Sequence, residues 1–210
     1  MLEQGVIVIE EPVGIIPACC PEWGGRLRPC GDHRALNART IPGRYSPLHI
    51  ENFAQQLHGK RIFSKIDLVR AYYQILIASE DIEKTATATP SGLFEALNTR
   101  FGFHNTAQTC QRFVDEITGA LGIVCTYIDD FLVTLEDEKQ QRKLLRTLFN
   151  HINNYGVVIN PAKCEFGARE ITFFRYTVDV DGIKPLAKRM DETIKVPKSV
   201  TVKHLRRYID

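Results

Sequence analysis

Three aspartates carry the chemistry open to this sequence: Asp67, which closes the run FSKID, and the adjacent pair Asp129 and Asp130 inside TYIDDFLV. They lie far apart in the chain, so only a folded sheet can bring them together. Carboxylates crowded into one pocket repel one another, and their pKa values rise unless a cation lies between them. Magnesium suits such oxygen donors and leaves coordination places for water and phosphate. Two such ions roughly 4 Å apart activate an attacking hydroxyl and stabilise a leaving pyrophosphate, which is the chemistry of nucleotidyl transfer. The same residues also have a bland use, because Asp-Asp between two apolar runs makes an ordinary solvated hairpin turn.

The surrounding pattern decides what could position them. RIFSKID reads as a strand with Phe63, Lys65 and Asp67 on one face. IVCTYIDDFLVTL reads as two strands that meet at the Asp pair in a tight hairpin. Between these segments, LVRAYYQILIA continues in β-prone residues, and TATATP and LFEALN form a further strand pair around a turn at Pro90 to Gly92. Asn105 is placed to cap a helix whose apolar positions are Ala107, Cys110, Phe113, Val114, Ile117 and Leu121, with Gly119 and Gly122 near its end. After a polar start at DEKQQRK, a second amphipathic helix runs through Leu144, Leu145, Leu148, Phe149, Ile152 and Tyr155 to Gly156. An earlier helix is expected from Ser46 as N-cap, through Pro47, Ile50, Phe53, Ala54 and Leu57, to Gly59. The opening VIVIEEPVGIIP, broken by Pro12 and Pro17, reads as edge strand and loop. ITFFRYTVDVDGIKP is a hairpin with Asp181 and Gly182 in its turn. Helices with one apolar stripe interleaved with strands predict an α+β fold: an antiparallel sheet with helices on one face and the carboxylates on the open face.

With 210 residues, 44% hydrophobic and 25% charged, the chain can bury a sizeable core. Its mean hydropathy of -0.17 is that of a soluble protein. No apolar stretch approaches a membrane span and no signal peptide is recognised. A net charge of +2 does not by itself nominate a polyanion as partner. Basic residues do cluster at Arg26, Arg28 and Arg34 and again at Lys195, Lys198, Lys203, Arg206 and Arg207. Either cluster suits phosphate contacts, and a solvated charged face explains the second equally well. The six cysteines, Cys19, Cys20, Cys30, Cys110, Cys125 and Cys164, show no zinc spacing and read as reduced thiols of an intracellular protein.

The segments LRPCGDHRALNARTIPGRYSPLHI, FSKIDLVRAYYQI, FGFHNTAQTCQRFVDEI, YIDDFLV, GVVINPAKCEF and VPKSVTVKHLRRYID stand in an order and spacing that resemble the reverse transcriptases of gypsy-like LTR retrotransposons, a part of their Pol polyprotein. The resemblance implies a right-hand polymerase with fingers at 1–43 and 75–105, palm at 44–74 and 106–187, and the start of a thumb or connection at 188–210. It implies RNA-directed DNA polymerisation with two magnesium ions, replaceable by manganese, on a primed RNA or DNA template with deoxynucleoside triphosphates. Asp67, Asp129 and Asp130 match the catalytic and metal-binding aspartates. Tyr72 matches the aromatic under the incoming sugar, where its bulk would exclude a 2′-hydroxyl. Arg28 matches a triphosphate-binding arginine. Phe101 lies in the FG segment bordering the nucleotide pocket, where Leu68, directly after Asp67, is also expected. Asp32 and Arg34 match a DYR triplet, here DHR, and a structural ion pair serves them equally well. Gln111 and Arg112 match a QR pair on the palm helix.

The chain also departs from that pattern. Glu22 and Trp23 stand where lysines are common, Leu27 replaces a tryptophan, Arg100 a proline, Phe103 the leucine of FGL, and Arg175 the glycine of FLGH. The chain begins at what resembles the middle of the fingers and stops where a thumb would start, without RNase H or integrase segments, so weak grip on primer-template is expected. An inactive remnant that folds and at most binds nucleic acid nonspecifically is the alternative reading. A Pol product of this kind would work inside the cell, in a cytoplasmic particle.

Overall fold

The computed structural model describes residues 15–21, 27–45, 57, 59–89, 92–119, 121, 124–174 and 176–186, with backbone alone for 15–21, 27–30 and 89. The architecture is α+β, built on a four-stranded antiparallel sheet in the order β6-β7-β3-β8. Its strands are β3 (Ile62–Asp67), β6 (Val124–Tyr127), β7 (Asp130–Leu135) and β8 (Glu165–Ala168). Three smaller antiparallel units accompany it: β1 (Ile15–Pro21) with β2 (Leu27–Asp32), β4 (Thr87–Thr89) with β5 (Gly92–Phe94), and β9 (Ile171–Phe173), β10 (Tyr176–Asp179) and β11 (Gly182–Pro185). The β1–β2 register shifts between Ile15 and Ala18, the stretch that contains Pro17, as expected of a residue that cannot donate to the ladder.

Helices cover one face of the main sheet. The short α1 (Arg34–Arg39) precedes them, and the two longer helices are α2 (Thr106–Thr118) and α3 (Glu138–Asn154). Cys110, Val114 and Ile117 of α2 and Leu148 and Ile152 of α3 pack onto Ile66, Phe131 and Val133 of the strands. Removing side chains of this size from water is worth about 1.5–3 kcal/mol each, and this is what holds the sheet flat against the helices. Asp137 caps α3 by accepting from the Gln140 amide at 3.3 Å. The helix stops at Gly156, whose φ of 66° permits the Val157 amide to reach back to the Ile152 carbonyl. Asn105 does occupy the cap position of α2, but its side chain serves the 41–43 loop instead, accepting from Gly43 N and donating to Ile41 O.

Three expectations need correction. The face opposite the helices is open only in part: Phe63, Leu132 and Cys125 are buried there beneath Leu57, Ile171, Phe173 and Val178, so the β9–β10–β11 sheet closes one end and leaves the carboxylate end uncovered. The run after Asp67 is not a strand. Arg70 adopts a φ of 48° and Ala71–Gln74 form a 3-10 turn, because Gln74 clamps the chain by donating to the Val69 and Val158 carbonyls and accepting from Val158 N. The turn of the last hairpin is Val180–Asp181, with Gly182 already in β11 and β9 paired outside it. Of the helix expected from Ser46 to Leu57, all but Leu57 lies outside the described residues, as do Pro90, Gly122, Arg175, Glu22, Trp23 and the C-terminal basic cluster.

Candidate active site

The three aspartates converge at one end of the main sheet. Antiparallel pairing of β3 with β7 sets Asp67 opposite Asp130, while pairing of β6 with β7 sets Tyr127 opposite Asp130 and leaves Ile128 and Asp129 as a two-residue turn. The Leu68 amide donates to the Asp129 carbonyl at 2.9 Å, which ties the turn to the end of β3. By the period-two rule Asp67 and Asp130 leave the same face of the sheet, the one the helices do not cover.

The turn is strained and braced. Ile128 has a φ of 53°, costly for a β-branched residue. Three groups hold it there. Gln111, fully buried on α2, accepts from Ile128 N at 2.9 Å and donates to the Thr126 carbonyl at 3.2 Å and to Asp115 Oδ1 at 2.9 Å. The Cys110 thiol donates to Ile128 O at 3.4 Å. The Leu68 amide completes the set.

The carboxylates are under-partnered. Asp67 is buried at 6% exposure, and Lys163 Nζ reaches its Oδ2 at 3.3 Å. Asp130 Oδ2 has Lys65 Nζ at the same distance. The other oxygen of each, Asp67 Oδ1 and Asp130 Oδ1, is buried with no hydrogen-bond partner. Burial pushes the Asp130 carboxyl up to about 6, with Asp129 and Asp67 adding to the rise and Lys65 opposing it. Asp129, exposed at the turn, is also raised, first by desolvation and further by the Asp67 charge. Buried orphan carboxylate oxygens under mutual repulsion are hard donors that fit a magnesium-sized cation. Among the described residues no three His, Cys, Asp or Glu side chains already stand in a complete metal-ligand arrangement. The lysines supply the positive charge, and Lys163, 67% exposed, is the one with room to leave.

The aromatic residues adjoin this group. Tyr72 lies close enough to feel Asp129, Cys110 and Tyr127, and its hydroxyl is pushed up to about 12, chiefly by burial. Phe101 meets it edge to face at 4.7 Å. Leu68 has its side chain buried in the core at 3% exposure, so what it brings to the site is the amide that pins the turn and not a surface for a ligand. Arg28 lies in β2, where only the backbone is described. Asp32 and Arg34 form an ion pair of 2.6 Å with each other, which holds the Asp32 carboxyl down at about 2. Arg112 stands on the outer side of α2, away from the aspartates, beside a separate cavity.

Two site residues were not singled out from the sequence. Lys65 was already on the Asp67 face, and that parity was the signal for its pairing with Asp130. Lys163 comes from a 3-10 turn (Pro161–Lys163) far along the chain, fixed where the Asn160 amide donates to the Asp67 carbonyl at 2.7 Å. Nothing local announces that contact.

A family model described as reverse transcriptase (RNA-dependent DNA polymerase) matches residues 21–178. The Tf2-3 transposon polyprotein of Schizosaccharomyces pombe is 29% identical over 99% of this chain, and the Tf2-7 polyprotein 28%. The chain spans 16% of the length of these relatives. Among solved structures, a foamy viral protease-reverse transcriptase in complex with double-stranded DNA superposes with a TM-score of 0.80 at 19% identity, covering 91% of this chain and 34% of that one. The same protein with an RNA/DNA hybrid gives 0.73 at 19% identity, over 87% and 25%. The fold is therefore the α+β fold of the polymerases, and the chain belongs to the reverse transcriptase (RNA-dependent DNA polymerase) family.

Proposed function

We propose that this chain catalyses RNA-directed DNA polymerisation, with Asp67, Asp129 and Asp130 as its catalytic group. The observation that carries the reading is the register of β3 against β7, which sets Asp67 and Asp130 face to face with an orphan buried oxygen on each. Asp67 and Asp129 would hold the ions, while Asp130, kept by Lys65, supports them electrostatically. Two magnesium ions, or manganese in their place, supply Lewis-acid activation of a primer 3′-hydroxyl and charge stabilisation at the leaving pyrophosphate.

The rest is the work of the chain's own side chains. Gln111 and Leu68 N fix the height of the Asp129 turn. Tyr72, braced by Phe101, forms the floor under the sugar of a deoxynucleoside triphosphate, and its bulk opposes a 2′-hydroxyl. Arg28 is assigned to the triphosphate, where a planar guanidinium bonds two oxygens at once. Residues 44–74 and 106–187 act as palm, 1–43 and 75–105 as fingers, and 188–210 begin a thumb or connection. A primed RNA or DNA template is the partner, in line with the nucleic-acid duplexes held by structures of this fold.

A second reading is a folded, inactive remnant, favoured by the lysine on Asp67, which neutralises the buried carboxylate without any metal. Primer extension on a homopolymer template with magnesium or manganese separates the two. The proposal expects incorporation by the wild-type chain and its loss in Asp129→Asn at unchanged melting temperature. An active Asp129→Asn, or a wild type that adds nothing under any condition, refutes it.

A further inference from the structure

The Gln111 amide that braces the Asp129 turn is itself held in place by a carboxylate. Asp115 stands one helical turn farther along the same face of α2. Its Oδ1 accepts from Gln111 Nε2 at 2.9 Å and from the Thr126 hydroxyl, and its Oδ2 accepts from the Tyr45 hydroxyl at 2.5 Å. With its proton committed to Asp115, the Thr126 hydroxyl oxygen in turn accepts from Gln111 Nε2 at 3.0 Å.

The chemistry of these groups fixes which end of Gln111 faces the turn. A carboxylate only accepts, so the end of the amide toward Asp115 must be the NH2 group. That leaves Oε1 for the Ile128 amide, which donates to it at 2.9 Å. Turned end for end, Gln111 would set Oε1 against the carboxylate and the Thr126 carbonyl, and its NH2 group against the Ile128 N–H. Bonds to a charged acceptor are the stronger kind, so Asp115 weights this choice more than a neutral side chain could.

Tyr45 carries the arrangement outward. The loop 41–45 runs beside α2 and is tied at the helix start, where Asn105 accepts from Gly43 N at 2.8 Å and donates to Ile41 O at 2.9 Å. It is tied again by Tyr45 at Asp115, about 15 Å farther along the helix axis. The bond to Asp115 pushes the Tyr45 hydroxyl up to about 12, so it remains a donor at any pH near neutrality.

We propose that Asp115 is a positioning residue for the catalytic turn: it fixes the orientation of the Gln111 amide, and through Tyr45 it makes the shape of the Ile128–Asp129 turn depend on the seating of the 41–45 loop. The inference deepens the catalytic reading given above and rests on it for its consequence, a slower chemical step when the turn relaxes.

Hydrogen exchange of backbone amides, followed by NMR on the whole isotope-labelled chain in EDTA, tests this with Asp115→Ala and Tyr45→Phe. Exchange of the Ile128 amide should speed up about tenfold in Asp115→Ala and about threefold in Tyr45→Phe, while amides of β3 and β7 keep their wild-type rates. In primer extension both variants should lower kcat and leave KM for the deoxynucleoside triphosphate unchanged. Should Asp115→Ala fail to fold, Tyr45→Phe carries the test, since Tyr45 is 39% exposed and lies outside any helix or strand. An Ile128 amide as protected as in wild type in a folded variant overturns the proposal, as does a kinetic change confined to KM. Faster exchange spread equally over β3 and β7 also overturns it, because a residue acting on overall stability alone would give that result. The exchange readout needs neither metal nor substrate, so a wild-type chain that extends no primer refutes the proposed function and leaves the exchange rates to decide the role of Asp115.

Discussion

Two hairpins in this molecule close with a two-residue turn bearing aspartate, and they are built on opposite principles. In the β10–β11 hairpin the acids satisfy themselves at the surface: Asp179 Oδ1 accepts from the Asp181 amide at 2.8 Å, and Lys184 bonds Asp179 at 2.7 Å and Asp181 at 3.1 Å. Lys184 accordingly holds the Asp179 carboxyl below its ordinary range. In the β6–β7 hairpin the backbone is strained at Ile128, Asp130 keeps an orphan oxygen, and the carboxyls of Asp129 and Asp130 are raised. The first is what Asp in a turn does for stability. The second is costly unless something outside the turn imposes it, and that cost is what the catalytic role proposed for the β6–β7 turn would account for.

If that contrast is right, the largest effect comes from removing the brace. Gln111→Leu leaves the half-buried Ile128 amide and the buried Thr126 carbonyl without this partner, and should cost about 3 kcal/mol of stability in urea unfolding. Primer extension should fall with it, beyond what the lost folded fraction explains. A variant as stable and active as wild type would mean that the turn holds its own shape.

A smaller effect is expected with pH. Asp130 in the fold titrates at about 6 against an ordinary 3.8, so between these values the native state keeps a proton that the unfolded chain has lost. Stability therefore declines as pH rises through that window, and Asp130→Asn should abolish this part of the decline. In EDTA, the melting temperature of Asp130→Asn relative to wild type should climb from pH 4 to pH 6 and then level off. Parallel curves would remove the claim that burial raises this carboxyl. Asp179, lowered by its lysine, has the opposite sign: its contribution is present above the ordinary carboxylate range and fades as pH falls.

The smallest effect belongs to the surface hairpin. Lys184→Met removes both of its ion pairs, yet these are solvent-exposed and such pairs contribute little. Neither melting temperature nor extension should change measurably. A clear loss of extension would show that the two hairpins are not functionally distinct.

Much of this was legible from periodicity. The strand ending at Asp67, the hairpin at Asp129 and Asp130, and the two amphipathic helices follow from apolar spacing, because each buries one stripe against the same sheet. The 3-10 turn at Tyr72 was not legible: β-prone Tyr and Ile are overridden by the Gln74 clamp, which depends on Val158 far along the chain. The cover that β9 and β10 place on Phe63 and Leu132 likewise depends on tertiary packing. The site divides in the same way. Residue types and motif order pointed to the aspartates and to Tyr72, whereas Lys163 and the thiol of Cys110, which read as an apolar position of its helix, act through contacts no local pattern encodes.

The central claim of the proposal is that Asp67 and Asp129 hold hard cations beside Asp130, and manganese titration followed by calorimetry tests it most directly. Wild type should show saturable binding that is lost in the Asp67→Asn, Asp129→Asn double variant, with Lys184→Met indistinguishable from wild type. Binding that survives the double variant, or a folded wild-type chain that takes up no manganese, would contradict the account.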